Sequence, residues 1–229
     1  MSQPLLRHVA IIMDGNRRWA TEKGLLSLQG HAAGYDTLKR IGNACLDRGI
    51  KVLTVFAFST ENWKRTEAEV GYLMELIERG LRNELEEFSS KGIRIRVIGR
   101  RDGLPTSVIH AINEAEQKTA QNTRATLCIC LNYGGRTEII DAAKRLVSDG
   151  VSADQIDEAA IVSRMYWPDM PDPDLIIRTS GEERTSGFLT WQSAYSELFW
   201  SQKHWPDFDE AELDKALESY AARQRRYGA

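Results

Sequence analysis

The stretch His8-Val9-Ala10-Ile11-Ile12-Met13-Asp14-Gly15-Asn16-Arg17-Arg18-Trp19-Ala20 decides the reading of this chain. Val9 to Met13 is an unbroken apolar run rich in β-branched residues. Only a strand covered on both faces dispenses with polar alternation, so the run reads as a buried parallel strand. It stops at Asp14-Gly15-Asn16, which places a carboxylate at the strand's C-terminal end. Gly15 lets the backbone turn sharply, Asn16 tolerates a left-handed conformation or caps a helix, and Arg17 and Arg18 open the next segment. Ligands of open α/β sheets bind at that edge. One acid beside two arginines and free backbone amides suits a polyanion that arrives with a divalent cation. The arginines and amides take phosphate oxygens and Asp14 takes the metal. The same residues also read as a plain strand-to-helix turn with a capping Asp and solvated arginines, and the rest of the chain weighs between the two.

The pattern recurs outward from this stretch. Glu22 to Gly30 reads as a polar, Gly-bounded loop, after which His31 enters a helix whose apolar positions Leu38, Ile41, Ala44 and Cys45 keep the helical period up to Gly49. A second buried strand, Val52 to Phe58, ends in Ser59-Thr60-Glu61-Asn62-Trp63-Lys64-Arg65. From Glu67 to Ser89 the spacing of Val70, Leu73, Met74, Ile77, Leu81, Leu85 and Phe88 predicts one continuous helix, roughly 35 Å long at 1.5 Å per residue. It is either a core-packing helix or one wall of an elongated apolar cavity. Ile93 to Ile98 is a third strand, a helix runs from Pro105 to about Asn122, and Ala125 to Leu131 is a fourth strand ending in Asn132-Tyr133-Gly134-Gly135-Arg136. Helices over 137–148 and about 153–164, a strand at Leu175 to Ile177, short apolar pieces at 188–191 and 198–200, and a last helix opened by Asp209 complete the chain. This alternation predicts a single α/β domain over 1–229, with a central, mostly parallel sheet of about six strands flanked by helices, right-handed crossovers and an elongated apolar tunnel. Residues 1–7 read as a flexible arm and 223–229 as a basic C-terminal tail.

With 229 residues, 42% of them hydrophobic, the chain can bury a substantial core. A net charge of −3 argues against a nucleic-acid partner. Three cysteines suggest a reducing compartment, and Cys128 with Cys130 reads as buried structural thiols, not a metal site. The longest clean apolar run is far too short to span a bilayer, and no signal peptide opens the chain. The protein therefore reads as soluble and cytoplasmic. The acids of Asp169-Met170-Pro171-Asp172-Pro173-Asp174 fit no EF-hand and read as turn chemistry.

The strand at 175–177 ends in Arg178-Thr179-Ser180-Gly181-Glu182-Glu183-Arg184-Thr185-Ser186-Gly187. Two arginines among four hydroxyl residues form an oxyanion cradle, because guanidinium forks and hydroxyls together saturate phosphate oxygens. Basic turns at several strand ends, with one acid for a metal, point to two anionic groups held near one another. There is no Walker motif, no G-x-G-x-x-G after the first strand, and no Asp-Asp-x-x-Asp of helical trans-prenyl transferases. A long apolar helix beside such turns suggests an amphiphile with a charged head and a hydrocarbon tail.

These segments resemble those of the cis-prenyltransferases, the undecaprenyl diphosphate synthase family. The match runs through 8–20, Gly30-His31-x-x-Gly34, 57–65, Asn132 to Arg136, Pro171 to Glu182, Phe188-Leu189-x-Trp191-Gln192, Ala194-Tyr195-x-Glu197 and Trp205-Pro206-x-Phe208, nearly the whole chain. The resemblance implies a Mg²⁺-dependent homodimer that adds isopentenyl diphosphate to an allylic diphosphate such as farnesyl diphosphate, with a Z double bond at each step, giving undecaprenyl diphosphate. A short-chain synthase and a non-catalytic partner subunit are the alternatives. Carried over by position, Asp14 holds the metal while Gly15, Asn16, Arg17, Arg18 and Trp19 cradle the allylic diphosphate with help from His31 and Arg65. Arg178, Arg184 and Ser186 hold isopentenyl diphosphate, and Glu197 lies close to the metal or the second diphosphate. Ser59, Thr60, Glu61 and Asn62 surround the reacting carbons, with Asn62 catalytic and Trp63 closing a lid. Arg226 and Gly228 of the tail reach the neighbouring subunit's site. Two positions depart from the family: Ser27 stands where an arginine usually precedes the Gly-His pair, and Gly187 where Asn usually precedes Phe-Leu. Arg17, where relatives often carry Gly, is the candidate compensation for Ser27.

Overall fold

The computed structural model describes residues 6–223, so Arg226 and Gly228 lie outside the described residues. Six strands form one sheet: β1 (His8–Ile12), β2 (Val52–Ser59), β3 (Ile93–Ile98), β4 (Ala125–Tyr133), β5 (Leu175–Arg178) and β6 (Glu197–Trp200). Their order is β3-β4-β2-β1-β5-β6, and neighbours pair in parallel. The apolar run of the opening stretch is β1, the inner strand with all five residues buried. The chain builds outward from β1 through β2, then places β5 and β6 on its other side. The order therefore reverses beside β1, which opens a crevice at the strand's C-terminal end, where Asp14 follows.

Alternation along the strands divides the core. Val9, Ile11 and Val55 pack with Ile41 of α2 (Ser27–Asp47), with Trp205 and Phe208, and with Leu213 of α8 (Glu210–Ala222). Ala10, Ile12, Cys128 and Cys130 point to the other face, against Trp167 and Phe188. A third cluster joins Phe58 and Ile95 to Leu73 and Leu81 of α3 (Glu67–Asn83) and Ile112 of α5 (Thr106–Lys118). The cysteines are buried and unbridged, as their strand positions suggested. His8 is fully buried; its Nδ1 donates to the Pro171 carbonyl at 2.7 Å, and its Nε2 accepts from the Thr54 hydroxyl at 2.7 Å. Burial pulls its pKa down to about 4, so it is neutral in the fold. Asp174 of the Pro- and Asp-rich loop accepts the backbone amides of Arg7 and His8 at 2.8 and 3.0 Å, so this acid pins the start of β1. The same bonds tie Arg7 down, so the expected arm does not extend through it.

Several expected boundaries move. The helix predicted over 67–89 is two, α3 and α4 (Leu85–Ser90), broken at Glu84. The apolar period continues through the break, so the sequence shows no interruption; Glu84 is drawn toward α2, where it accepts from Tyr35 Oη at 3.0 Å and Lys39 Nζ at 2.8 Å. The loop expected over 22–30 shrinks to a short link, because α1 (Asn16–Glu22) ends there and α2 already starts at Ser27 with Gln29 capping the Leu26 amide. The segment at 153–164 is a 3₁₀ turn, Ala153–Gln155, followed by the short α7 (Glu158–Val162), and α6 (Gly135–Ser148) begins two residues earlier than expected. Among the described residues no helix is long and apolar enough to cross a membrane.

Candidate active site

Register brings the central acid and base together. Ile12 pairs with Arg178 across β1 and β5, so Asp14 and Arg178 emerge side by side at the sheet's C-terminal edge. The Asp14 backbone is clamped: its amide donates to Thr179 Oγ1 at 2.9 Å, and its carbonyl accepts from Thr179 Oγ1 at 2.7 Å and the Trp205 amide at 2.9 Å. On its carboxylate, Oδ2 accepts from Arg178 Nη2 at 2.7 Å, and Oδ1 accepts from the Gly15 amide at 2.7 Å and faces Arg18 Nη2 at 3.3 Å. Burial works against ionisation, but the Arg178 hydrogen bond and charge, then Arg18 and the Gly15 amide, outweigh it and hold the carboxyl below its ordinary range. Asp14 is therefore a carboxylate at neutral pH. Gly15 sits at φ 100°, where a Cβ would lie 2.5 Å from Ser180 Oγ and 2.6 Å from His204 Nδ1; only glycine fits.

Helix α2 presses on the same turn through the Gly30-x-x-x-Gly34 stripe. A Cβ at Gly30 would run into the Asn16 carbonyl, and one at Gly34 into Asn16 Oδ1, so both glycines are needed for this approach. Around Asp14, Arg178 is nearly buried, with a side chain 5% exposed. Its Nη1 donates to Ser186 Oγ at 2.8 Å and the Arg184 carbonyl at 2.5 Å, while its buried Nε has no hydrogen-bond partner among the described residues. Arg18 donates to Glu182 Oε1 at 2.9 Å, and Arg184 pairs with the same carboxylate. Ser186 (φ 50°) and Gly187 (φ 77°) bend the cradle back; both Gly and the family's Asn enter this left-handed region readily, which explains that departure.

A second hub is Glu69, which sequence reasoning missed. Buried at 7% exposure, its Oε1 accepts from His31 Nε2 at 3.0 Å and Arg65 Nη1 at 2.9 Å, while Arg17 Nη1 lies 3.9 Å from Oε2. Glu69 thus gathers three predicted site residues from α1, α2 and the end of the turn after β2. Desolvation pushes the His31 pKa down, and Arg65 and Arg17 add to that against Glu69, so His31 serves as a neutral donor. The Arg65–Glu69 spacing, i and i+4 at a helix start, was the available signal.

A cavity of about 500 Å³ opens beside these groups. Asp14, Asn16, His31, Ser59, Glu61, Asn62, Arg65, Arg178 and Ser186 line its polar end; Leu38, Leu53, Leu73, Ile77 and Leu81 form its walls; and Phe88, Ile93 and Ala125 lie at the opposite edge of the sheet. Arg17, Arg18, Gly15 and Ser27 line an adjoining cavity that shares Asp14, Asn16, His31 and Arg65, which puts Arg17 on the same rim as the departed arginine position.

Four predicted residues are placed otherwise. Trp63 donates to Asn132 Oδ1 at 2.8 Å, packs edge-on against Phe58 and faces a separate cavity with Glu67 and Val70. Trp19 turns away from the anion-binding turn to donate to Asp207 at 2.8 Å. Thr60 donates to Glu61 at 3.1 Å. Glu197 is not brought to Asp14 within one chain: β6 pairs it with Leu175 at the start of β5, three residues behind Arg178, and it binds Arg223 at 2.5 Å. As a partner for Asp14 in holding one metal ion, it is therefore corrected for the single chain. Asn62 lines the main cavity, but its Oδ1 is engaged by the Ser59 amide at 3.0 Å, leaving its NH₂ to act.

Among the described residues there is no cluster of three or more metal-ligating side chains. Asp14 offers one ionised carboxylate beside a cationic cradle, a donor set that fits a hard cation taking its remaining oxygens from substrate phosphates and water, and fits no soft or all-protein site.

A parallel α/β sheet whose switch point carries an acid-and-arginine cluster beside a cavity with apolar walls marks this edge of the sheet as the candidate active site. The family model described as putative undecaprenyl diphosphate synthase matches residues 12–228. An isoprenyl transferase of Thermotoga maritima is 48% identical over 224 residues, covering 97% of this chain and 96% of its own length. Two solved structures superimpose over nearly the whole chain. Lavandulyl diphosphate synthase from Lavandula x intermedia, in complex with dimethylallyl diphosphate, has a TM-score of 0.93 and 36% identity, covering 97% of this chain and 98% of the other. A probable undecaprenyl diphosphate synthase from Campylobacter jejuni has a TM-score of 0.83 and 31% identity, covering 99% and 100%. The chain belongs to the undecaprenyl diphosphate synthase family and is a prenyltransferase.

Proposed function

We propose that this enzyme joins isopentenyl diphosphate to an allylic diphosphate such as farnesyl diphosphate, forming a Z double bond at each addition and building undecaprenyl diphosphate. The observation that carries this reading is the meeting of the Asp14–Arg178 cluster with the mouth of the apolar cavity. One substrate head rests on the Asp14–Arg18 turn with Arg65 and neutral His31, and its hydrocarbon tail lies along Leu38, Leu73 and Leu81. The second head rests in the Arg178–Ser186 cradle, with Arg184 released from Glu182 to meet it.

In the reaction the allylic C–O bond breaks, a C–C bond forms to the terminal alkene carbon of isopentenyl diphosphate, and a proton leaves that substrate. Arg17, Arg18 and Arg65 stabilise charge developing on the departing diphosphate, which is preorganised electrostatic catalysis. Asp14 would hold Mg²⁺, which when bound would supply Lewis-acid neutralisation of the same charge. Ser59, Glu61 and the Asn62 amide hold the alkene against the reacting carbon, a positioning effect. A homodimer would complete the site, with Arg226 and Gly228 of one tail acting on the neighbour. In this proposal the enzyme is cytoplasmic and makes at most peripheral membrane contact, where its hydrocarbon-tailed product is released.

The test is incubation with radiolabelled isopentenyl diphosphate and allylic primers of several lengths, with and without Mg²⁺. Chelator-sensitive incorporation into long Z-polyprenyl products supports the proposal, products of two to four units support the short-chain alternative, and no incorporation refutes both.

A further inference from the structure

Beneath the Asp14–Arg18 turn lies a relay that no motif of the chain announces. Ser180 Oγ is 2.6 Å from His204 Nδ1, and His204 Nε2 is 3.0 Å from Glu22 Oε1. The Glu22 carboxylate can only accept, so Nε2 carries a hydrogen, and in the neutral ring Nδ1 then accepts from the Ser180 hydroxyl. Three distant segments meet here: the last residue of α1, the bend after β5 and the loop after β6.

Ser180 is held at φ 78°, a left-handed conformation that non-glycine residues adopt only when their surroundings impose it. The imposing bonds are visible: its amide donates to the Lys203 carbonyl at 2.7 Å, the Gly181 amide donates to the Ser201 carbonyl at 2.9 Å, and the hydroxyl is taken by His204. What that conformation achieves is contact with the substrate turn. The Ser180 carbonyl accepts from Arg18 Nη1 at 3.4 Å, and Gly15 closes directly on Ser180 Oγ and His204 Nδ1, where no Cβ fits. His204 also precedes Trp205, whose amide holds the Asp14 carbonyl.

From this geometry we infer that His204 is a positioning residue for the allylic diphosphate: it bears on Gly15 directly, on Arg18 through Ser180, and on the far end of α1 through Glu22. This rests on the proposal that the Asp14–Arg18 turn receives that diphosphate. Simple stabilisation of the fold is the competing role, and the Glu22 side chain, 66% exposed, makes its pair with His204 a weak contributor to stability.

The experiment compares His204→Leu, Ser180→Gly, Glu22→Ala and Glu22→Gln with wild type. Ser180→Gly suits because glycine adopts φ 78° without strain while removing the side chain that His204 holds. Melting temperature, KM for each substrate, and direct binding of a non-reactive allylic thiodiphosphate are measured. His204→Leu, Ser180→Gly and Glu22→Ala should weaken thiodiphosphate binding and raise the allylic KM about tenfold, as misplacement of a binding group does, with the isopentenyl diphosphate KM within twofold. Glu22→Gln, which still accepts from Nε2, should restore wild-type behaviour, and the double variant His204→Leu/Ser180→Gly should be no worse than the poorer single one. Equal movement of both KM values, unchanged thiodiphosphate binding, or additive effects in the double variant would overturn the inference. Failure of the wild type itself to bind the thiodiphosphate would instead overturn the functional proposal.

Discussion

Replacing Asp14 by Asn separates its chemical role from its structural one. The amide keeps the shape and can still accept from Arg178 Nη2, which stands 2.7 Å from Oδ2. Arg178 also retains Ser186 Oγ and the Arg184 carbonyl, but the new NH₂ stands where Oδ1 was, so the bond from the Gly15 amide and the contact with Arg18 Nη2 are lost together with the charged share of the Arg178 bond, about 2–3 kcal/mol in all. For a chain of this size that lowers the melting temperature by roughly 4–12 °C. Turnover should fall far more. Loss of an electrostatic effect worth about 4 kcal/mol in the transition state is about a thousandfold in rate. The pH dependence has a defined sign. The Asp14 pKa is lowered in the fold, so its contribution to stability is complete above the ordinary value of 3.8 and is lost as pH falls through the lower folded value. The stability gap between wild type and Asp14→Asn should therefore be constant from pH 7 to pH 5 and narrow only below about pH 4. Incorporation of labelled isopentenyl diphosphate in excess Mg²⁺ gives the rate, and urea unfolding gives the gap. Turnover of Asp14→Asn within tenfold of wild type would refute the role assigned to the carboxylate. Asp14→Ala should be less stable than Asp14→Asn, because it strands a second nitrogen of a guanidinium whose Nε is already without a partner.

Arg184→Ala should raise the KM for isopentenyl diphosphate and leave the allylic KM near wild type, whereas Arg178→Ala should disturb both, because Arg178 is bonded to Asp14; steady-state kinetics with each substrate varied decides. Leu81→Trp, which fills the cavity wall at a 3% exposed position, should shorten the product without abolishing the first condensation, and unchanged product lengths on chromatography would mean that this wall does not meet the growing chain. His8 is neutral in the fold with its pKa near 4, so the unfolded chain takes up a proton there first as pH falls below 6.5; stability should drop by about 1.4 kcal/mol per pH unit from 6.5 towards 4, and His8→Gln should flatten that slope in urea titrations.

Much of this enzyme is written locally. The β-branched runs at 9–13, 52–58, 93–98 and 125–131 each became a parallel strand, because a run of this kind can be satisfied only between two covered faces. The C-terminal ends of β1, β2 and β5 carry Asp14, Arg65 and Arg178, since chemistry at a parallel sheet's C-terminal edge has to sit at or just after the last residues of each strand. The Gly30 and Gly34 pair was legible as a motif, and its reason, the approach of α2 to Asn16, came from packing. The break at Glu84 was hidden because an apolar period can run unbroken through a kink whose cause is a hydrogen bond from another helix. The partners of Trp19 and Trp63 were not legible, because a residue's presence in a motif does not say which way its side chain turns; their indole N–H groups donate to Asp207 and Asn132. Thus the sequence alone determined the strands and the polar and basic turns that follow them, all properties of neighbouring residues. Only the tertiary structure decided that Glu69 gathers His31, Arg65 and Arg17, that Glu197 stands apart from Asp14, and that Glu22, 182 residues from His204, joins it under Gly15; such pairings are made by the crossovers that bring distant strand ends to one edge, and no local pattern encodes them.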